Sequence, residues 1–173
     1  MAEVKPGRFT AQVDGPFVVL RLGIRVNRPF HFWKWIPTLR TTVPLLRGLL
    51  RDQVPGLLGG FPMLLYWQSG IGIIQYWRSF EDLERFACSK GNGYQALWNR
   101  YETSPGADGS VGLWYETFFI DATRYEAVYD NMPVIGLAAA TRHIPVVGRL
   151  ETARRRLGGQ SEPVVPSPPN PVS

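Results

Sequence analysis

The stretch FVVLRLGIRVN, residues 17–27, sets Val18, Leu20, Leu22, Ile24 and Val26 at alternate positions. Between them fall Val19, Arg21, Gly23, Arg25 and Asn27. Only an extended chain turns its side chains to opposite faces with a period of two, so this is a strand with one dry face and one wet one. Gly15-Pro16 opens it and Pro29 closes it. The rest of the chain must supply something to cover the dry face.

The period then changes. In FHFWKWIPTLRTTVPLLRGLLRDQ, residues 30–53, Leu39, Val43, Leu46, Leu49 and Leu50 recur at helical spacing, while Arg40, Arg47 and Arg51 take the other side. Pro37 suits a first helical turn, and Pro44 predicts a kink or the true helix start. FPMLLYWQ (61–68) and GIGIIQYWRS (70–79) read as two strands joined in a hairpin by a short Ser-Gly connection. Ser79 followed by Asp82 resembles a capping box with the acid substituted. It opens the helix FEDLERFACS, whose core positions are expected at Phe80, Leu83, Phe86 and Ala87. Gly91-Asn92-Gly93 interrupts that helix, YQALWNRYE (94–102) resumes it, and SPGADGS is a loop. A fourth strand runs from about Val111 to Ile120. The order is β-α-β-β-α-β, an α+β plan of the ferredoxin-like kind. One sheet face and two helices enclose a core, and a second copy of the chain is expected on the other face.

At 173 residues the chain is read as one domain over 1–157. Its last part, about 121–157, is an irregular arm expected to reach a partner subunit or cover a pocket. Residues 158–173 form a Pro-rich tail read as disordered or polyproline-like. The start, MAEVKPGRFTAQVDGP, has no apolar run that would serve as a signal or anchor. Gln53 to Trp77 carries no charge and is long enough to span a bilayer, but Pro55, Gly56, Gly59, Gly60, Pro62, Gly70 and Gly72 break it. No transmembrane segment is expected. A single cysteine, Cys88, excludes an internal disulfide and fits a reducing cytoplasm. The net charge of +5 favours anionic partners in general. The densest Arg cluster, GRLETARRR, lies just ahead of the tail with no nucleic-acid motif, and no nucleic-acid partner is expected.

No G-x-S-x-G elbow, Walker loop or H-E-x-x-H is present. GIGIIQ leads into no helix, so it is not a dinucleotide fingerprint. His31 and His143 lie far apart without an acid at ligand spacing, so no protein-built metal site is expected. What remains is a set of polar groups among aromatics. Tyr94 and Trp98 share a helical face at i, i+4. Tyr115 and Glu116 sit on opposite faces of the last strand, so only one of them meets the helices. Glu116, between Trp114 and Phe118 on its face, is costly to bury alone, and Arg78 or Arg25 is expected to pair with it. The same groups suit either a core salt bridge with buried tyrosines or an apolar pocket with a few polar anchors.

GRFTAQVDGPFVVLRLGIRVNR, QYWRSFEDLERFA and YEAVYDNMPVIGL together resemble the monooxygenase Af470-like family of the dimeric α+β barrel superfamily, beside antibiotic-biosynthesis monooxygenases. The likeness runs from about Gly7 to Leu157. It implies a homodimer and a cytoplasmic tailoring enzyme of secondary metabolism. Its substrate would be an apolar, polyketide- or aromatic-type molecule bound between sheet and helices, and no cofactor would be needed. Typical members read H-x-x-A-W and W-H-E-T-Y where this chain has YQALW (94–98) and WYETF (114–118). Both histidines are therefore tyrosines here, Tyr94 and Tyr115. A phenol near pKa 10 is a hydrogen-bond donor rather than a neutral-pH base. The implied catalytic set is Tyr115, Tyr94, Glu116 and Arg78, with Trp98, Trp77, Arg25, Asn27 and Trp114 contacting substrate. The alternatives are a non-oxidative cyclase, isomerase or dehydratase, or a haem enzyme of aldoxime-dehydratase type ligated by a His or a Tyr. Separately, NRPFHFWKWIPTLR mixes Phe32, Trp33 and Trp35 with Arg28, Lys34 and Arg40, suiting either a membrane surface or packing against a partner's arm.

Overall fold

The protein is described here by a computed structural model covering residues 2–51, 53–65 and 70–158. The strands are β1 (Val4–Gln12), β2 (Phe17–Val26), β3 (Leu57–Leu65), β4 (Gly70–Trp77), β5 (Val111–Ile120), β6 (Tyr129–Pro133) and β7 (Arg142–Pro145). The helices are α1 (Phe32–Leu49), α2 (Phe80–Cys88), α3 (Gly93–Glu102), α4 (Gly136–Ala140) and α5 (Ala153–Arg156). They divide into two compact units, residues 18–118 and residues 1–17 with 119–173.

The unit 18–118 is a four-stranded sheet in the order β3-β4-β2-β5, with α1, α2 and α3 in the connections. This is the ferredoxin-like topology read from the sequence. The β2–β4 ladder is antiparallel, with Leu20 opposite Gln75, Leu22 opposite Ile73 and Ile24 opposite Ile71. Leu20, Leu22, Ile24, Ile73 and Trp77 turn to one side and are buried together with Leu46 and Leu49 of α1, Leu97 of α3 and Val111 of β5. Two polar contacts fasten α1 to its neighbours. Gln75, buried on β4, donates from Nε2 to the Leu49 carbonyl at 2.7 Å, filling an acceptor that the helix end leaves open. Thr38 Oγ1 donates to the Lys34 carbonyl at 3.0 Å and accepts from the Gly106 N–H at 3.1 Å, holding the 3₁₀ turn Pro105–Asp108. A Cβ on Gly106 would lie 2.7 Å from that oxygen and 2.8 Å from a Val111 methyl, so only glycine fits.

Several expectations need correction. Pro44 neither ends nor starts α1, which runs through both prolines. Pro37 and Pro44 stand on the exposed side of the helix, while Thr38, Thr42, Leu46 and Leu49 form the buried one. The carbonyls that lose an amide donor there belong to Trp33 and Arg40, both exposed residues, so water can take its place. Phe80 is exposed, because it directly follows the Ser79 cap of α2 and the helix presents Leu83 and Phe86 inward. The cap itself forms as read: Ser79 Oγ accepts from the Asp82 N–H at 3.1 Å. The Ser-Gly connection of the hairpin lies largely outside the described residues, as does the Pro-rich tail beyond residue 158.

The other unit holds a three-stranded antiparallel sheet in the order β6-β1-β7. Phe9 of β1 lies opposite Tyr129 of β6, and Ala11 opposite His143 of β7. β1 escapes a sequence reading because Pro6 and Gly7 interrupt it. The β1–β6 register shifts between Lys5 and Arg8, where Gly7 takes a φ of +94° and its N–H donates to Asn131 Oδ1 at 3.0 Å. The stretch read as an irregular arm thus supplies two short strands to this sheet.

Gly106→Ala is expected to destabilise the protein by about 1–3 kcal/mol through overpacking. Thr38→Val should cost a similar amount by leaving the Gly106 N–H without an acceptor. Urea unfolding followed by circular dichroism measures both.

Candidate functional site

α3 starts where Asn92 Oδ1 accepts the Gln95 N–H at 2.7 Å. It is pinned to β5 by Tyr101, whose hydroxyl donates to the Val111 carbonyl at 2.9 Å. With Leu97 fully buried, the helix brings Tyr94 and Trp98 over the helix-facing side of β5. Tyr115 is on that side too. The Trp98 and Tyr115 rings meet edge to face, with centroids 6.2 Å apart and planes at 87°. Trp98 meets Tyr101 in the same way at 6.5 Å. Tyr115 is 55% exposed, whereas Tyr94 is half-buried. Burial pushes the Tyr94 phenol above its ordinary pKa, and Tyr115 adds to the effect while a contact with the Trp98 indole opposes it. Tyr94 is therefore a proton donor across the neutral range. The three side chains form an aromatic cluster carrying two hydroxyl groups, and no carboxylate or imidazole pairs with them among the described residues.

Glu116 points the other way, as strand alternation requires, but neither Arg78 nor Arg25 pairs with it. Its Oε2 accepts from Arg21 Nη1 at 2.7 Å, because β2 runs beside β5 in the sheet. The Arg21 guanidinium also lies over the Trp114 ring, 5.5 Å from its centroid. The indole in turn covers Gly23, where an added Cβ would approach it to 2.8 Å. Both charged side chains of the pair are open to solvent, so the expected cost of burying Glu116 does not arise.

Arg78 is engaged elsewhere. Asp82, buried in the first turn of α2, accepts from Arg78 Nε at 3.0 Å and from Arg85 Nη1 at 2.8 Å. Burial raises the Asp82 carboxyl, but the two guanidiniums outweigh that and hold it below the usual carboxylate range. Trp77 is fully buried against Phe86, with ring centroids 5.4 Å apart, and serves the core rather than a substrate wall. Asn27 fastens the turn before β5: its Nδ2 donates to the Gly109 carbonyl at 3.2 Å and its backbone N–H to Ser110 O at 2.9 Å. Arg25 is exposed, without a hydrogen bond or ion pair among the described residues. Of the nine expected residues, only Tyr94, Trp98 and Tyr115 come together on the helix side of the sheet.

Sequence reasoning missed two cavities. One, of about 240 Å³, lies between α1 and the β3–β4 pair, lined by Val43, Leu46, Leu50, Met63, Ile71 and Ile73 with Arg47 beside them. Its walls are ordinary core-type residues, so no sequence signal marks it. It sits by β3, whereas Tyr115 is on β5, at the opposite edge of the sheet. The second, of about 250 Å³, is in the other unit, between β1 and residues Tyr125, Glu126 and Arg156. There Tyr125 Oη accepts from the Val13 N–H at 2.8 Å, and Arg156 pairs with Glu126.

Neither histidine lines either cavity. The His143 ring lies on Phe9 at 4.2 Å, and its Nε2 is shut off from solvent. His31 stacks on Trp33. Both cavities fall below the roughly 300–1,000 Å³ of ordinary small-molecule clefts. Among the described residues no group of three His, Cys, Asp or Glu could hold a metal ion. No helix there is long and apolar enough to cross a membrane.

The family described as monooxygenase af470-like matches residues 17–137, and the chain belongs to it. No protein of curated function matches the sequence. Among solved structures, the aldoxime dehydratase OxdRE in complex with butyraldoxime aligns with a TM-score of 0.55 at 15% identity, over 88% of this chain and 44% of that one. A second aldoxime dehydratase aligns with a TM-score of 0.50 at 21% identity, over 76% of this chain and 42% of that one. The chain thus spans less than half the length of either enzyme. At such identities the likeness is one of fold alone.

The raised Tyr94 pKa has a measurable sign. The folded state holds this proton where the unfolded state, with a value of 10.0, releases it. That contribution to stability is complete below pH 10 and disappears as pH rises through the folded value. Tyr94→Phe should flatten the loss of stability above pH 10, measured by urea unfolding across alkaline pH.

Proposed function

We propose that this member of the monooxygenase af470-like family is an oxygenase-type tailoring enzyme. Its substrate would be an apolar aromatic or polyene molecule rich enough in electrons to reduce oxygen itself. The observation that carries this reading is the Tyr94–Trp98–Tyr115 cluster formed by α3 and β5. Its rings can stack on a planar substrate. Its hydroxyls can donate to a substrate carbonyl or enolate oxygen as negative charge gathers there. One oxygen atom would end in the product and the other in water, with all electrons drawn from the substrate, so no cofactor is required. Glu116, Arg78, Trp77, Asn27 and Trp114 have structural engagements and are left out of the proposed site. Arg25 is left out because it does not join the cluster.

A second reading is favoured by one feature of the same cluster. Among the described residues no carboxylate or imidazole pairs with the phenols, which suits a cyclase, isomerase or dehydratase working by hydrogen-bond polarisation of a pre-folded substrate. The protein is further proposed to act as a homodimer in a reducing compartment, where the exposed Cys88 thiol would persist.

With an electron-rich phenolic substrate, the purified colourless protein should consume oxygen. Tyr94→Phe and Tyr115→Phe should each slow turnover about 10²-fold, the usual loss for one oxyanion donor. Unchanged rates in the double variant would remove the tyrosine cluster from the mechanism, and equal product formation without oxygen would select the second reading. Sedimentation equilibrium should give twice the 19.5 kDa protomer mass.

A further inference from the structure

We infer that the outer side of α1 is a docking surface for an anionic lipid bilayer. Between Asp14 and Asp52 the chain has seven Lys and Arg and not one Asp or Glu. Trp33, Pro37, Arg40, Pro44 and Arg47 follow one another at alternating steps of four and three along α1, and all five are exposed. At 100° per residue they form a single straight stripe, opposite the buried Thr38, Thr42, Leu46 and Leu49. Arg51 continues the line in the following turn. Arg28, Arg40, Arg47 and Arg51 have no ion pair among the described residues; Lys34, paired with Asp108, lies off the stripe.

An aromatic knuckle heads the stripe. Phe30 is 87% exposed, and Phe32 and Trp33 are each 57% exposed. The knuckle is held in shape: Trp35 Nε1 donates to the Pro29 carbonyl at 2.7 Å, and the His31 N–H donates to Arg28 O at 3.0 Å. Bare aromatic tips beside unpaired cations are what an interfacial helix presents, rings at the acyl boundary and guanidiniums at the phosphates. Charge argues against a second copy of this chain on the same stripe, since a two-fold contact would set arginine against arginine. Phe30 makes no ring contact among the described residues, and an unstacked phenyl tip fits lipid better than a phosphate backbone. Arg47 also borders the apolar cavity under α1, so docking would bring that cavity close to the lipid surface.

The test is co-sedimentation of the full chain with vesicles of phosphatidylcholine alone or mixed with phosphatidylglycerol, at low and high salt. The protein should pellet with the anionic vesicles only, and less as salt rises. Arg40→Glu with Arg47→Glu should weaken partitioning at least about tenfold. Phe30→Ser with Trp33→Ser should weaken it as well, with circular dichroism confirming that both variants fold. Arg124→Glu with Arg142→Glu, the same charge change outside α1, should alter it by no more than about twofold. The inference is overturned if anionic vesicles leave the protein in solution or if the α1 and control variants lose binding equally. Retention of a DNA duplex without vesicle binding would overturn it in favour of nucleic acid.

Discussion

The inward face of β2 is the constraint on which the larger unit rests. Leu20, Leu22 and Ile24 are almost wholly withdrawn from water, and each stands opposite a β4 residue on the same side. Leu22 and Ile24 are not accessible at all, so each contributes on the order of 2 kcal/mol by burial. α1 is bound to that face through Leu46 and Leu49, and α3 through Leu97. Where α3 lies then fixes where Tyr94 and Trp98 point, so the position of the aromatic cluster is a consequence of packing beneath it.

The sequence made the order of elements along the chain readable because period-two and period-3.6 segments succeed one another from Phe17 to Ile120. It was far less informative about β1, where Pro6 and Gly7 erase the alternation and pairing with β6 and β7 supplies what local pattern does not. The prolines of α1 misled for a related reason. Propensity treats Pro44 as a breaker, but its outward position spares the buried side of the helix. Tertiary burial overrides local preference in both cases.

The candidate site was legible only in part. Spacing alone placed Tyr94 beside Trp98, and alternation put Tyr115 and Glu116 on opposite faces. Choosing a partner for Glu116 required the sheet order, which sets β2 rather than β4 next to β5 and excludes Arg78, and then the position along β2, where Arg21 rather than Arg25 meets the glutamate. Arg78 looked available because its buried acceptor, Asp82, reads in sequence as part of a helix cap. Trp77 looked like a pocket wall because an aromatic at a strand end carries no mark of how deeply it lies. The apolar cavity under α1 was invisible, since residues that fill a core and residues that leave a gap in it have the same composition.

The two prolines of α1 bear on how the chain acquires its shape. A segment with two missing amide donors and three threonines has little helical preference of its own. Cut out as a peptide it is expected to be largely coil, and in the protein it depends on a surface to pack against. That surface includes β4, which lies later in the sequence. The helix is therefore held by the sheet it packs against, so the element that looks most regular in the finished molecule owes that regularity to its neighbours.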